Sequence, residues 1–205
     1  MSTLTTLTAA LRQDLHDQDA AAYRWTDAEL ARHIQRAIER YQDAQPQDKT
    51  KDLAALAETY VYALTGADAI ADLINIERVE YPQGENPPVY IPWELRDTNL
   101  RLSPSEPPVA STTIRVHYAA AHLVGAASTI PLPHEHIVLT GAAGFAALAW
   151  ASYAVNRVNV SSATQKEYEQ FAYRRSQEFY RELDTLRRDR TQRAGSTVAI
   201  SGYEI

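Results

Sequence analysis

Four of the six histidines lie within one stretch of twenty residues, and imidazole is a common metal ligand in proteins. They are His117, His122, His134 and His136. Three imidazoles can hold a catalytic zinc ion that keeps one position open, which would make the chain a small hydrolase. However, His134 and His136 flank a predicted helix start, where the helix dipole alone favours Glu135. We therefore predict no metal and no cofactor, and keep a histidine-based hydrolase as an alternative.

Other catalytic motifs are missing from the sequence. It has no glycine-rich phosphate loop, no nucleophile elbow and no HExxH helix. It has no cysteine, so thiolate zinc sites, thiol nucleophiles and disulfides are excluded. The acidic residues are scattered over predicted exposed faces and form no isolated carboxylate pair. We predict that the chain is not an enzyme.

A second candidate for chemistry is a row of arginines along one predicted helix. Arg32, Arg36 and Arg40 recur every four residues and could contact phosphates or the carboxylates of a partner. Neighbouring acidic residues partly neutralise this face, and the formal net charge of −6 argues against a free DNA-binding protein. No second basic helix stands in helix-turn-helix register. A helical, nucleic-acid-binding regulatory protein remains the main alternative function.

The elements that would position these residues are mostly helical. Leucines at helical spacing predict a first helix over residues 3–14. The second begins at a capping box, Thr26-Asp27-Ala28-Glu29, and Trp25 precedes it where a hydrophobic staple would pack on Leu30. Leu53, Leu56, Tyr60 and Leu64 predict a third helix that ends at Gly66.

The middle of the chain differs in composition from the rest. Residues 72–119 hold seven of the ten prolines and several short β-prone runs. Ile114, Val116 and Tyr118 alternate with polar residues, as in a half-buried strand. We therefore predict a mainly α fold: one helical-bundle domain over residues 1–193, with a small antiparallel β insertion at 72–119.

Two long helices are predicted after this insertion. Residues 137–155 carry no charge over nineteen positions, which is close to bilayer length. Their alanines and glycines, without flanking positive charge, favour a buried central helix over a membrane span. The last helix, over 162–192, has one apolar stripe, formed by Tyr168, Ala172, Phe179, Leu183 and Leu186. Tyr173 and Tyr180 form a second stripe, which either faces a partner or is simply solvated.

The order of these parts resembles the head–tail connector proteins of tailed bacteriophages, also called adaptor or head completion proteins. The stretches that carry the resemblance are WTDAELARHIQRAIERY, LINIERVEYPQGENPP, and LTGAAGFAALAWASYAV followed by ATQKEYEQFAYRRSQEFYREL. They cover most of residues 24–190.

The resemblance implies a structural virion protein that is assembled in the host bacterial cytoplasm. Such proteins form a ring, usually dodecameric, beneath the portal protein, where they extend the DNA channel and receive a downstream neck or tail-completion protein. Copies of the chain would contact one another and touch packaged DNA without sequence specificity, and no membrane is involved. Arg32, Arg36, Arg40, Tyr173 and Tyr180 would then lie at the ring interface or face the channel.

The C-terminus is the predicted portal-docking element. Gly195 is expected to end the last helix, and residues 194–205 are expected to form an extended tail. A short β-prone run cannot bury both of its faces alone, so it could add a strand to a partner. The residues of this element are Ser196, Thr197, Val198, Ala199, Ile200, Ser201, Gly202, Tyr203, Glu204 and Ile205.

Overall fold

The chain folds as two units with separate cores. The structure is a computed structural model that describes residues 2–154 and 162–198 of the 205-residue chain. Unit 1 consists of Met1–Gln45 and His122–Ile205, and unit 2 consists of Pro46–Ala121. Unit 2 is therefore an insertion between the second and third helices of unit 1.

Unit 1 contains four α-helices in its described part. They are α1 (Leu4–Asp14), α2 (Asp27–Gln42), α3 (Glu135–Ala154) and α4 (Ser162–Val198). Helix α3 packs against each of the other three helices, so it lies at the centre of this unit. Its core is aliphatic and aromatic, with Leu11, Ile34, Val138, Phe179 and Leu183 among the residues most completely removed from solvent.

The start of α2 has the predicted capping box. The Thr26 hydroxyl accepts a hydrogen bond from the Glu29 N–H at 3.2 Å, and the Glu29 carboxylate accepts one from the Thr26 N–H at 2.8 Å. The Thr26 N–H and the Thr26 hydroxyl, which donates at 2.9 Å, both bond to the Glu29 carboxylate and hold the pKa of Glu29 below its usual value. Trp25 is buried in the same core as Leu30, as the predicted staple requires. The sequence prediction of this helix start is confirmed.

Removing the cap should destabilise the chain modestly. We expect Thr26→Ala to lower the free energy of unfolding by about 1 kcal/mol, because the Glu29 N–H then lacks its partner. Thr26→Ser keeps the hydroxyl oxygen and should stay within a few tenths of the wild type. Urea titration followed by circular dichroism measures both, and equal losses in the two variants would contradict the capping role.

The predicted burial of the long apolar helix is confirmed. Residues 132–153 are long and apolar enough to cross a bilayer, but 61% of an 18-residue window within them is buried in the fold, as in the core helix of a globular unit. Gly141 allows α4 to approach closely, since a Cβ at that position would lie 2.9 Å from the Phe179 ring. Alanines of the same helix, such as Ala142 and Ala146, are fully buried.

Unit 2 consists of two three-stranded antiparallel sheets. Its strands are β1 (Gln47–Ala54), β2 (Val61–Ala63), β3 (Leu73–Glu80), β4 (Trp93–Arg96), β5 (Asn99–Leu102) and β6 (Thr113–Ala120). One sheet has the order β1-β6-β3 and the other β2-β5-β4. Ile114 and Val116 of β6 point into the core, as their alternation with polar residues predicts, and pack with Ile76 and Val79 of β3.

The prediction of a mainly helical bundle is wrong. The chain is 45% helix and 21% strand, so the fold is mixed α/β. The predicted third helix over residues 53–64 is replaced by the end of β1, a turn and β2. Leu56 and Tyr60, which should have joined a buried stripe, are 57% and 40% exposed. Burial instead alternates along β1 and β2, with Leu53 and Tyr62 inside. These strands belong to the inserted unit, which begins at residue 46 rather than 72.

The end of α4 also differs from the prediction. The helix continues to Val198, so Gly195 does not end it, and Ser196, Thr197 and Val198 are helical rather than extended. The rest of the predicted portal-docking element, Ala199–Ile205, lies outside the described residues.

Candidate assembly surfaces

The predicted arginine face lies on the solvent side of α2. Arg32, Arg36 and Arg40 are all exposed, opposite the buried stripe that contains Ile34 and Ile38. The Arg36 guanidinium lies 4.4 Å from the centre of the Phe145 ring on α3. Arg40 forms a long, exposed ion pair of 4.0 Å with Asp43. The face is positive, but two of its three charges also contact their own unit.

A buried histidine, His33, lies next to this face. His33 is 5% exposed, and burial lowers its pKa, with smaller contributions from Arg32 and Arg36. The neutral imidazole is therefore the form that fits the folded state at neutral pH. The folded-state pKa of His33 lies below its unfolded value. The stability that comes from burying the neutral ring is therefore complete above the unfolded pKa and is lost as the pH falls through the folded pKa.

The two predicted tyrosines lie on the outer face of α4. Tyr173 is 67% exposed and Tyr180 is 43% exposed, although the Tyr180 ring also packs beside Phe179 with centroids 5.4 Å apart. The adjoining side of α4 carries the predicted core stripe: Ala172, Phe179 and Leu183 are buried, and Tyr168 and Leu186 pack against the core. The structure therefore places the arginines and the tyrosines on exposed faces of two different helices.

The histidine cluster is divided between the two units. His117 lies on β6 in unit 2, where its Nε2 is 3.5 Å from the Glu80 carboxylate. In unit 1, His134 Nδ1 is 2.6 Å from the Tyr41 hydroxyl, and His122 Nε2 is 2.9 Å from the Gln45 carbonyl oxygen. Within residues 2–154 and 162–198, no three His, Cys, Asp or Glu residues are grouped to hold a metal ion.

The contact between Tyr41 and His134 has a defined direction. Burial raises the pKa of Tyr41 to about 12, so its hydroxyl keeps a proton to donate. Burial, together with the neighbouring His136, lowers the pKa of His134, so the neutral ring accepts the hydrogen bond at Nδ1. This is a structural hydrogen bond that joins α2 to the turn before α3.

Sequence reasoning missed a buried ion pair between α1 and α2. Arg12 and Asp17 are 7% and 6% exposed, and Arg12 Nη1 lies 2.6 Å from Asp17 Oδ2. Arg12 Nη2 also donates to the Trp25 carbonyl at 2.9 Å and to Asp27 Oδ1 at 2.7 Å. Asp17 in turn accepts from the backbone N–H of Arg24 at 2.7 Å. The pair therefore holds the loop that leads into the capping box of α2.

An arginine among aromatic rings holds α2 against the α3–α4 pair. The Arg24 guanidinium lies 4.9 Å from the Trp150 ring centre and 5.1 Å from that of Tyr168. The rings of Trp150 and Tyr168 are themselves 4.2 Å apart. Trp25 meets Tyr168 edge to face at 6.4 Å. The tryptophan before α2 is therefore part of the packing rather than of an open binding surface.

Comparison with known proteins finds a family model that matches nearly the whole chain. The family model described as SU10 adaptor protein matches residues 2–201. No curated protein matches significantly. Among solved structures, a chain from the neck of an empty gene transfer agent (GTA) particle, computed with C6 symmetry, is 14% identical with a TM-score of 0.30. That match covers 76% of this chain and 81% of the other. A TM-score of 0.30 does not define a shared fold.

Proposed function

This chain belongs to the SU10 adaptor protein family, and we propose that it acts as a ring-forming structural protein of a phage neck. Copies of the chain form a ring, dodecameric by family resemblance, that joins the portal protein to the downstream neck or tail-completion protein. The ring would extend the DNA channel. The observation that carries this proposal is the family match over residues 2–201.

The exposed charges and aromatic residues support a role in assembly rather than catalysis. Arg32, Arg36 and Arg40 present positive charge on α2, and Tyr173 and Tyr180 expose aromatic surface on α4. Arginine and tyrosine are enriched at protein interfaces because each combines a broad contact area with hydrogen-bonding groups. In the proposed ring these residues lie at subunit contacts or face the channel.

Electron microscopy of the purified protein, alone and mixed with its cognate portal protein, tests the proposal. We expect rings, or a collar bound to the portal. A protein that stays monomeric in both samples but binds duplex DNA in a salt-sensitive way would favour the alternative of a nucleic-acid-binding regulator.

Reversing the arginine face should impair assembly without unfolding the chain. We expect Arg32→Glu, Arg36→Glu and Arg40→Glu together to reduce incorporation into portal complexes, since like charges would then face the partner. The matched control replaces the same three residues with glutamine and should show a smaller loss. Circular dichroism checks folding, because Arg36 contacts Phe145. Wild-type assembly by the triple reversal would mean that this face is only solvated.

Removing the C-terminus tests the portal-docking prediction. Deleting residues 199–205 leaves every described helix of unit 1 in place. We expect a folded chain that no longer joins portal-containing heads, because the segment that would pair with the portal is gone. Co-sedimentation with purified portal measures this, and the full-length chain is the reference. Normal incorporation of the truncated chain would move the docking surface elsewhere, with α4 as the next candidate.

A further inference from the structure

The outer face of α4 carries a repeated Tyr-Arg pair, and the proposed function leaves its arginines unassigned. Tyr173-Arg174 and Tyr180-Arg181 are seven residues apart, and Arg188 follows Arg181 at the same interval. Seven residues are close to two helical turns, so these side chains share one face over about 22 Å of helix. We name this surface, formed by Tyr173, Arg174, Tyr180, Arg181 and Arg188, the α4 stripe.

The charge of the α4 stripe is not neutralised within the described part of the chain. Arg175 and Arg187, at its flanks, pair with Glu178 and Asp184 at 3.3 and 3.1 Å. Arg174, Arg181 and Arg188 are exposed and form no ion pair with any residue in 2–154 or 162–198. The stripe therefore combines unpaired positive charge with two exposed aromatic rings.

Unit 2 has a surface of the complementary kind. It holds eleven of the 26 acidic residues and six of the 20 basic ones, which accounts for five of the six excess negative charges. Two acidic residues, Glu58 and Glu106, are exposed near exposed apolar side chains. Leu56 and Val109 are 57% and 60% exposed, and the Glu58 N–H donates to the Pro108 carbonyl at 2.9 Å, which brings the two loops together.

We propose that the α4 stripe of one copy binds the unit 2 patch of a second copy, where the patch is Leu56, Glu58, Tyr60, Glu106 and Val109. The arginines would meet the carboxylates, and the tyrosine rings would cover the apolar side chains. Two different surfaces that complement each other make a head-to-tail contact, which closes into a ring when the rotation per subunit permits. This inference rests on the proposed function and names the contact that builds the ring.

Charge exchange between the two surfaces tests the contact. One variant combines Arg174→Glu with Arg181→Glu, and the other combines Glu58→Lys with Glu106→Lys. We expect each variant alone to lose at least tenfold in self-assembly, measured by sedimentation velocity of the full-length protein alone and with portal. A 1:1 mixture of the two variants should recover assembly. The wild-type stripe of one variant then meets the wild-type patch of the other, and the reversed stripe meets the reversed patch. High salt should weaken the wild-type contact.

The outcomes separate this contact from its competitors. If either variant assembles like the wild type, or if the mixture is as impaired as its components, the inferred contact is wrong. Rings formed by the wild-type chain would still support the proposed function. A loss confined to the α4 variant, together with loss of binding to a 30-base-pair duplex, would make DNA the occupant of the stripe and also overturn the inferred contact. A wild-type chain that assembles neither alone nor with portal would overturn both proposals.

Discussion

Replacing Ala146 with aspartate should make the chain insoluble, whereas the same change at Ala149 should leave it folded. Ala146 is fully buried on α3, while Ala149, one turn along, is exposed. A carboxylate at position 146 would lie in the core of unit 1, where an unpaired charge costs several kcal/mol. Single domains are stable by only about 5–15 kcal/mol, so this change can unfold the unit. Ala149 is exposed although the sequence predicts a buried central helix over residues 137–155.

The soluble fraction after expression, followed by thermal melting, distinguishes the two variants. Ala149→Asp is the control for adding a negative charge to α3 without burying it. Soluble Ala146→Asp protein with a wild-type melting temperature would show that α3 does not form the core. Recovery of the wild-type chain only from membranes would instead show that α3 lies in lipid.

Removing Arg12 should produce the second large effect. We expect Arg12→Ala to lower the free energy of unfolding by about 3–5 kcal/mol, because Asp17 would remain buried without its counter-ion. The Trp25 carbonyl would also lose its donor, and the loop before α2 would lose the group that fixes it. Urea unfolding followed by tryptophan fluorescence measures the loss, since Trp25 lies at this site.

A surface ion pair provides the matched control. Arg187 and Asp184 lie 3.1 Å apart, but their side chains are 47% and 60% exposed. Arg187→Ala should cost less than about 1 kcal/mol, as is usual for pairs that water can screen. Equal losses for Arg12→Ala and Arg187→Ala would mean that burial of the first pair contributes nothing.

Local patterns were sufficient to predict the four helices of unit 1, apart from the end of α4. The capping box at Thr26, the apolar stripe of α2 and the stripe from Ala172 to Leu183 all follow from the 3.6-residue period of a single element. Helix α3 could be placed because nineteen uncharged residues, rich in alanine, suit a helix that is surrounded by others. In each case the residues that decide the structure are neighbours in sequence.

The predictions failed where partners are distant in sequence. Leu53, Leu56, Tyr60 and Leu64 fit a helical period, but the antiparallel pairing of β1 with residues 113–120 imposes a period of two. Arg12 resembles an ordinary surface residue of α1 until Asp17 and the chain before α2 fold over it. The candidate surfaces could be predicted in part. The exposure of Tyr173 and Tyr180 follows from the core stripe of α4, whereas the unit 2 patch is visible only once the loops of unit 2 are placed.

The insertion of one unit within the other sets an order of events during synthesis. Unit 2 is a continuous segment with its own core, so all its residues are available as soon as Ala121 has left the ribosome. Helices α1 and α2 are made first, but their apolar faces pack on α3 and, through Trp25, on α4. At a synthesis rate of about 5–20 residues per second, these apolar faces stay exposed for several seconds before α3 and α4 emerge. Unit 2 can therefore fold before unit 1 is complete, and α1 and α2 need protection from aggregation for the longest time.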